Sequence, residues 1–380
     1  MTVRSYKFKD IARVVTGGTP KKHSENYDGD IPFVTPGDLG EVGVISSTLR
    51  TLTRKGADSI RPIPEGSVMV CCIGATVGKV GITSKEVATN QQINSLVVDQ
   101  SIAYPKYVYY FCKTLKDKLM AASSSTTMPI VNKTTFSELE IPLPPLDEQK
   151  RIAAILDKAD AIRQKRKQAI ALADEFLRSV FLEMFGSDLV RDSNRVNFGD
   201  VTVLDAKMVD PRQDEYLDLL HIGPDRIQKN TGKLLPALTA REEGLISKKF
   251  FFNNQYVLYS KIRPYLRKAA IPEFSALCSA DMYPVKPIEG KATREFIWML
   301  LLSDLFDNYV ASLPDRANIP KLNKKELAAF EFSLPEFEKV KQFSQIVKQN
   351  RKGLHSMEVA ASTAEINFNA LSQKAFSGQL

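Results

Sequence analysis

The 380-residue chain is long enough for two ordinary domains and their connections. Hydrophobic residues make up 43% and charged residues 25%, a globular balance that excludes disorder and fibre. Lysine and arginine number 52 against 44 acidic residues, and the net +8 leaves a polyanion such as DNA open as partner, while no run approaches the ~18 apolar residues of a membrane span. The first ten residues carry charge with no apolar stretch behind it, so no signal peptide is expected. Four cysteines, two of them adjacent at Cys71 and Cys72, make neither a disulfide framework nor a zinc knuckle. Three scattered histidines exclude a His-rich metal site. A reduced, soluble, cytoplasmic protein without a metal is expected.

From the N-terminus, short β-runs broken by Gly, Pro and Asn dominate, at 31–35, 67–73 and 94–98, followed by a helix-like stretch at 104–120. A pattern of another kind then begins at 147 and runs to 185. Apolar or small residues at Ile152, Ile155, Ala159, Ile162, Ala169, Ala173, Phe176 and Val180 step alternately by three and four, a heptad series broken at Arg166. Pro144 and Pro145 stop the preceding chain, Asp147 and Glu148 put negative charge where the helix dipole favours it, and Gly186 ends the helix. A second body follows, with β-runs at 256–259 and 282–285 and a helix-like stretch at 293–310. It leads into a second heptad series, Val340, Phe343, Val347, Asn350, Leu354, Met357, Ala361, Ala364, Phe368 and Leu371, between Pro335 and Gly378. Some 40 residues at ~1.5 Å each make a rod of roughly 60 Å.

The chain is written twice. Pro129-Ile-Val-Asn-Lys133 is answered by Pro320-Lys-Leu-Asn-Lys324, Leu143-Pro144 by Leu334-Pro335, Phe8-Lys-Asp-Ile11 by Phe198-Gly-Asp-Val201, and Val68-Met-Val70 by Val257-Leu-Tyr259, each about 190 residues later. Such a period is too long for a solenoid and describes a tandem pair of domains. The expected fold class is α+β: two globular α+β domains in tandem pseudo-twofold repeat, at 1–144 and 188–335, separated by an antiparallel coiled coil of two long helices at 145–187 and 336–380. Alanines at 159, 169, 173, 361 and 364 allow close approach, while Arg166 and Asn350 disfavour slipped registers. The alternative is that each long helix lies amphipathically on the core of a body.

Catalytic motifs are missing. Ile73-Gly-Ala-Thr-Val-Gly-Lys-Val80 falls one residue short of a phosphate-binding loop and has Val80 where Ser or Thr must hold magnesium. Gly37-Asp-Leu-Gly-Glu-Val-Gly43 lacks the dinucleotide-binding order, and no G-x-S-x-G or H-E-x-x-H occurs. Cys71 and Cys72 lie in an apolar run and read as core. What remains are polar and basic loops. Thr16, Gly17, Gly18, Thr19, Pro20, Lys21 and Lys22 form a glycine loop whose backbone could approach a phosphate closely. Gln91, Gln92 and Asn94 place carboxamides beside a strand, where they can read adenine, with Lys79 as a further DNA contact. The stretch at 123–129 is hydroxyl-rich. The second body offers Lys261, Arg263, Arg267 and Lys268, with His221 and Arg226. Plain solvation is the alternative for each of these loops.

The run Ile141-Pro-Leu-Pro-Pro-Leu-Asp-Glu-Gln-Lys-Arg-Ile-Ala-Ala-Ile-Leu156, from a strand through a double proline and an acidic-Gln pair into a long helix, resembles the specificity subunits of type I restriction–modification systems. Thr16-Gly-Gly-Thr-Pro20 followed by Ile31-Pro-Phe-Val-Thr-Pro-Gly-Asp38 is similar to the opening of their target recognition domains. Thr89-Asn-Gln-Gln-Ile-Asn94, Met128-Pro-Ile-Val-Asn-Lys133 and Leu371-Ser-Gln-Lys-Ala-Phe-Ser-Gly378 match as well, whereas Ser333-Leu-Pro-Glu-Phe-Glu338 lacks the double proline and the Glu-Gln pair. The resemblance implies a non-catalytic subunit whose two bodies each read half of a split, asymmetric double-stranded DNA target. The helices would set the unread spacer and dock two methylation subunits, with Ile152, Ile155, Ala159, Ile162, Phe176, Val180, Val347, Leu354, Met357 and Phe368 as coiled-coil and docking positions. Restriction subunits with translocase activity would join them. S-adenosylmethionine, ATP and magnesium would sit on those partners, and no cofactor on this chain. The other functions left open are a stand-alone DNA-binding protein and a coiled-coil scaffold.

Overall fold

The strand Val68–Cys71 is apolar without alternation because both of its faces are covered. Val68 and Val70 enter one core with Leu96, Tyr107 and Phe136, while Met69 and Cys71 enter another with Val15, Val34 and Ile93. This computed structural model describes residues 4–40, 43–123, 128–314 and 320–380. The chain divides into two units, Met1–Lys165 with Ala360–Leu380, and Arg166–Val359. The division falls inside both long helices, Leu146–Phe185 and Phe337–Phe376, each of 40 residues.

In the first unit Val68–Cys71 is the middle of a five-stranded sheet ordered Ala12–Thr16, Ile93–Val98, Val68–Cys71, Val80–Thr83, Val44–Ile45. All its pairs are antiparallel except the last. A smaller sheet pairs Tyr27–Val34 antiparallel with Thr51–Leu52 and parallel with Ala88–Thr89. Arg4–Lys7 pairs with Glu140–Leu143 just before the first long helix.

The second unit repeats this plan. Val257 and Tyr259 face one core and Leu258 another. Its sheets run Thr202–Val203, Met282–Pro287, Val257–Ser260, Ala269–Ala270, and Met208–Val209, Lys249–Phe252, Ala276–Cys278, His221–Ile222. The parallel pairing of Ile222 with Cys278 takes the place of Val34 with Thr89. The repeated Asn-Lys motif is a helix start: Asn132 accepts from the Thr135 N–H and Asn323 from the Glu326 N–H, opening Lys133–Ser137 and Lys324–Ala328. The helix-like stretches differ from expectation, since each is two helices. They are Pro105–Lys113 with Lys116–Ala121, and Arg294–Leu301 with Asp304–Ser312. In the second case Ser303 caps the later helix by accepting from the Phe306 N–H, a break that apolar periodicity does not register.

Within each unit a segment of one long helix packs against a segment of the other. In the first, Arg151 reaches the Leu380 carbonyl and Arg163 the Glu365 carboxylate, so one segment advances as the other recedes. In the second, Phe181 and Phe185 meet Phe343, with ring centroids 5.4 and 5.5 Å apart. The paired segments are antiparallel. Each also enters the core of its body: Ile152, Ala153 and Leu156 join the Tyr107 core, and Leu177, Phe181 and Phe185 the Phe296 core. Packing on a core therefore operates beside helix pairing.

The heptad read from apolar residues is one position out of register along the first long helix. Ile152 is buried and Ile155, Ala159 and Val180 are partly covered, but the covered stripe runs through Ala153, Leu156, Leu177 and Phe181. Ile162 and Phe176 are each 51% exposed. Charged residues on the covered stripe cause the error. Asp160 and Arg163 are largely covered there, with Arg163 2.5 Å from Asp160, 2.8 Å from Glu365 and 4.5 Å above the Phe368 ring. Such ions are tolerated because each finds a partner. In the second long helix Val347 and Phe368 are buried and Leu354 partly so, but Met357 is exposed and its neighbour Glu358 pairs with Lys233. Among the described residues no helix is long and apolar enough to cross a membrane.

Candidate nucleic-acid interface

In the first unit the chain leaves or enters four strands at one end of the five-stranded sheet, which brings together the segments at 16–22, 72–79 and 89–92. The segment at 128–132 joins them through the Ile73–Ile130 bridge and the Gly74 N–H, which donates to the Pro129 carbonyl at 2.9 Å. The glycine loop is seated on protein. The Gly17 N–H donates to the Ile93 carbonyl and the Gly18 N–H to the Thr89 carbonyl. A Cβ at Gly17 would lie 2.2 Å from the Thr89 carbonyl oxygen and 2.3 Å from that of Asn90. The absence of a side chain at Gly17 thus serves contact with residues 89–90.

Burial separates carboxamides that look alike in sequence. Asn94 is 3% exposed, accepts from the Thr16 hydroxyl at 2.7 Å and donates to the Val131 carbonyl at 3.5 Å. Gln92 accepts from the Asn90 amide and donates to the Ile73 carbonyl. Thr16, Gln92 and Asn94 therefore tie the loops to one another. Thr19, Gln91, Lys21 and Lys22 stay exposed, with the Thr19 hydroxyl donating to the Gln91 carboxamide at 2.6 Å. Lys79 is turned to protein and donates to the Pro36 carbonyl at 3.3 Å. In the hydroxyl-rich stretch, residues 124–127 lie outside the described residues. All four cysteines are buried, and burial pushes the Cys72 thiol up to about 12, which fits packing and not chemistry.

The second unit builds the same corner. The Arg263 N–H donates to the Pro320 carbonyl at 2.8 Å, the Lys261 N–H to Asp281 and the Leu322 N–H to Lys261. Lys268 donates to the Pro224 carbonyl at 2.6 Å, the counterpart of Lys79 on Pro36. Arg267 is 2.7 Å from Asp304 and 2.8 Å from Asp307, fastening the turn to the helix Asp304–Ser312. Arg226 donates to the Pro236 carbonyl and lies 3.1 Å from Asp225. His221 is mostly covered, with Nδ1 2.7 Å from Glu243. Each of these four side chains, expected as a DNA contact, is engaged by protein and only partly exposed. Arg263 is exposed, and Lys261 stands 3.9 Å from Asp281. Sequence reading missed Tyr265, 58% exposed beside Arg263, and Lys321, 3.7 Å from Asp281. The repeat carried the signal, because Lys321 sits in the second Asn-Lys motif. Among the described residues no cluster of His, Cys, Asp and Glu could hold a metal ion.

Residues 2–172 match the family described as type I restriction modification DNA specificity domain. The chain is 24% identical over 331 residues to the type I restriction enzyme EcoDI specificity subunit of Escherichia coli, covering 77% of this chain and 73% of that protein. It is 35% identical over 187 residues to the MjaIX specificity subunit of Methanocaldococcus jannaschii, covering 47% and 42%, so this match spans less than half of either chain. The fold is similar to that of the type I restriction–modification S subunit from M. genitalium, with a TM-score of 0.60 at 16% identity over 99% of this chain and 96% of that one. A chain from a structure describing complex assembly and conformational transition of the type I R-M system gives 0.53 at 16% identity, over 100% of both.

Proposed function

We propose that the chain is a non-catalytic DNA specificity subunit of a type I restriction–modification system, as its likeness to that family supports, and that the bodies at 1–144 and 188–335 are target recognition domains, each reading one half of a bipartite, asymmetric duplex. The observation that carries this reading is one backbone corner built twice with different exposed side chains. The first unit presents Thr19, Lys21, Lys22 and Gln91, and the second Arg263, Tyr265 and Lys321. Two readers of unlike half-sites need a shared frame and unlike surfaces. The long helices, at 145–187 and 336–380, set the unread spacer. Their exposed apolar side chains, Ile162, Leu172, Phe176 and Leu182 on the first and Met357 and Ile366 on the second, dock two methylation subunits. Restriction subunits with translocase activity complete the assembly, and S-adenosylmethionine, ATP and magnesium belong to these partners.

Binding to cognate and unrelated duplexes, measured on the complex with the methylation subunits, tests the division of labour. Gln91→Ala should lower cognate affinity by about 5- to 100-fold and leave unrelated DNA unaffected. Lys21→Ala with Lys22→Ala should weaken both equally and reduce the salt slope by up to ~2. Equal losses for Gln91→Ala on both duplexes would remove it from base reading, and an unchanged slope would remove the lysines from the interface. Asn94→Ala, by contrast, should cost about 1–3 kcal/mol of stability, because it strands the Thr16 hydroxyl and the Val131 carbonyl.

A further inference from the structure

The turn Pro264–Leu266 is flanked by two arginines in the left-handed region, Arg263 at φ +48° and Arg267 at φ +47°. Side chains other than glycine rarely adopt this conformation. The equivalent turn of the first unit has glycine at both places, Gly74 at φ +89° and Gly78 at φ +88°. Gly74 and Arg263 even make the same backbone bond, to the carbonyls of Pro129 and Pro320. This backbone calls for glycine, and the second unit carries arginine twice. One arginine has an internal reason, since Arg267 is fastened to Asp304 and Asp307. The other has none. Among the described residues the Arg263 guanidinium has no hydrogen bond or ion pair, and it is exposed. A strained position without an internal partner points outward.

We propose that this turn is a phosphate clamp, in which Arg263, Lys321 and the Tyr265 hydroxyl hold a phosphodiester of the DNA backbone. The inference rests on the DNA-reading assignment above and deepens it. The Ile262–Lys321 bridge sets Lys321 beside the turn. One carboxylate, Asp281, serves both Lys321 at 3.7 Å and Lys261 at 3.9 Å, and Arg263 has none, so these three cations face a single carboxylate between them. Tyr265 adds an exposed hydroxyl donor on the same turn. Phosphate fits this corner better than a base edge. Base reading needs a side chain held in fixed bidentate geometry, and nothing orients Arg263, whereas attraction to the backbone needs only charge and donors. The first unit has Gly74, Ala75, Thr76 and Ile130 in these places, so the clamp belongs to the second unit alone.

The test is Arg263→Gly in the full chain complexed with its methylation subunits, titrated with salt on a cognate and an unrelated duplex. Glycine accepts the left-handed backbone, so the thermal midpoint should hold or rise. The slope of log affinity against log salt should fall by about 0.9, and both duplexes should weaken by the same factor. Tyr265→Phe should weaken both duplexes equally with the slope unchanged. An unaltered slope with unaltered affinity for Arg263→Gly would overturn the clamp, as would a loss confined to the cognate duplex, which would make Arg263 a base reader. A lowered midpoint with intact DNA binding would make Arg263 structural and overturn it too. A wild-type complex that fails to discriminate the two duplexes would instead refute the underlying reading of the chain.

Discussion

Phe181→Ala should lower the unfolding free energy by about 3–5 kcal/mol, whereas Phe176→Ala, five residues earlier on the same helix, should change it by less than ~0.5 kcal/mol. Phe181 is buried among rings, with centroids 5.3 Å from Phe185, 5.9 Å from Phe296 and 5.4 Å from Phe343. Its loss opens a cavity where helix pairing and body core meet. Phe176 has no such company and is half exposed. Urea denaturation of the full chain measures both, with the midpoint falling for the first and steady for the second. Equal costs would restore the register read from the apolar residues. Under the proposed docking role, Phe176→Ala should show its effect elsewhere, as weaker retention of the methylation subunit, because an exposed apolar side chain is candidate partner surface.

Gly17→Ala is the second large effect. Its Cβ would collide with the carbonyl oxygens of Thr89 and Asn90, backbone atoms that cannot rotate away. Overpacking, together with damage to the hydrogen bonds from the Gly17 and Gly18 N–H groups, should cost about 3 kcal/mol. Gly18→Ala meets only the Ile60 side chain at 3.0 Å and should cost less. The displaced loop carries Thr19 away from Gln91, so discrimination between duplexes should suffer along with stability. A Gly17→Ala chain with wild-type midpoint and wild-type discrimination would show that residues 16–19 do not seat on 89–90.

Repetition and helix length were legible in the sequence because they rest on local chemistry. The Asn of each Asn-Lys motif is an N-cap, and a cap must precede its helix at a fixed spacing. The seam between the helices was not legible, since Asp160 and Arg163 lie on the covered stripe and apolar counting skips them. The candidate site was half legible. Loop composition picked out segments that the fold brings to one corner, but Gln91 and Asn94 are both carboxamides, and only the Thr16 and Val131 contacts make one of them structural. Lys79 and Lys268 likewise read as free cations, yet each gives one donor to a proline carbonyl. The left-handed turn announced itself in the first unit through Gly74 and Gly78. Its twin was invisible because arginine does not advertise φ.

The proposed pair of readers joined by a ruler can be tested in one measurement: the chain is expressed with a methylation subunit, and modified adenines are mapped across the host DNA. A single motif is expected, with two short specified parts around a gap of fixed length. Modification at one continuous motif, or none from a stable complex, would contradict it.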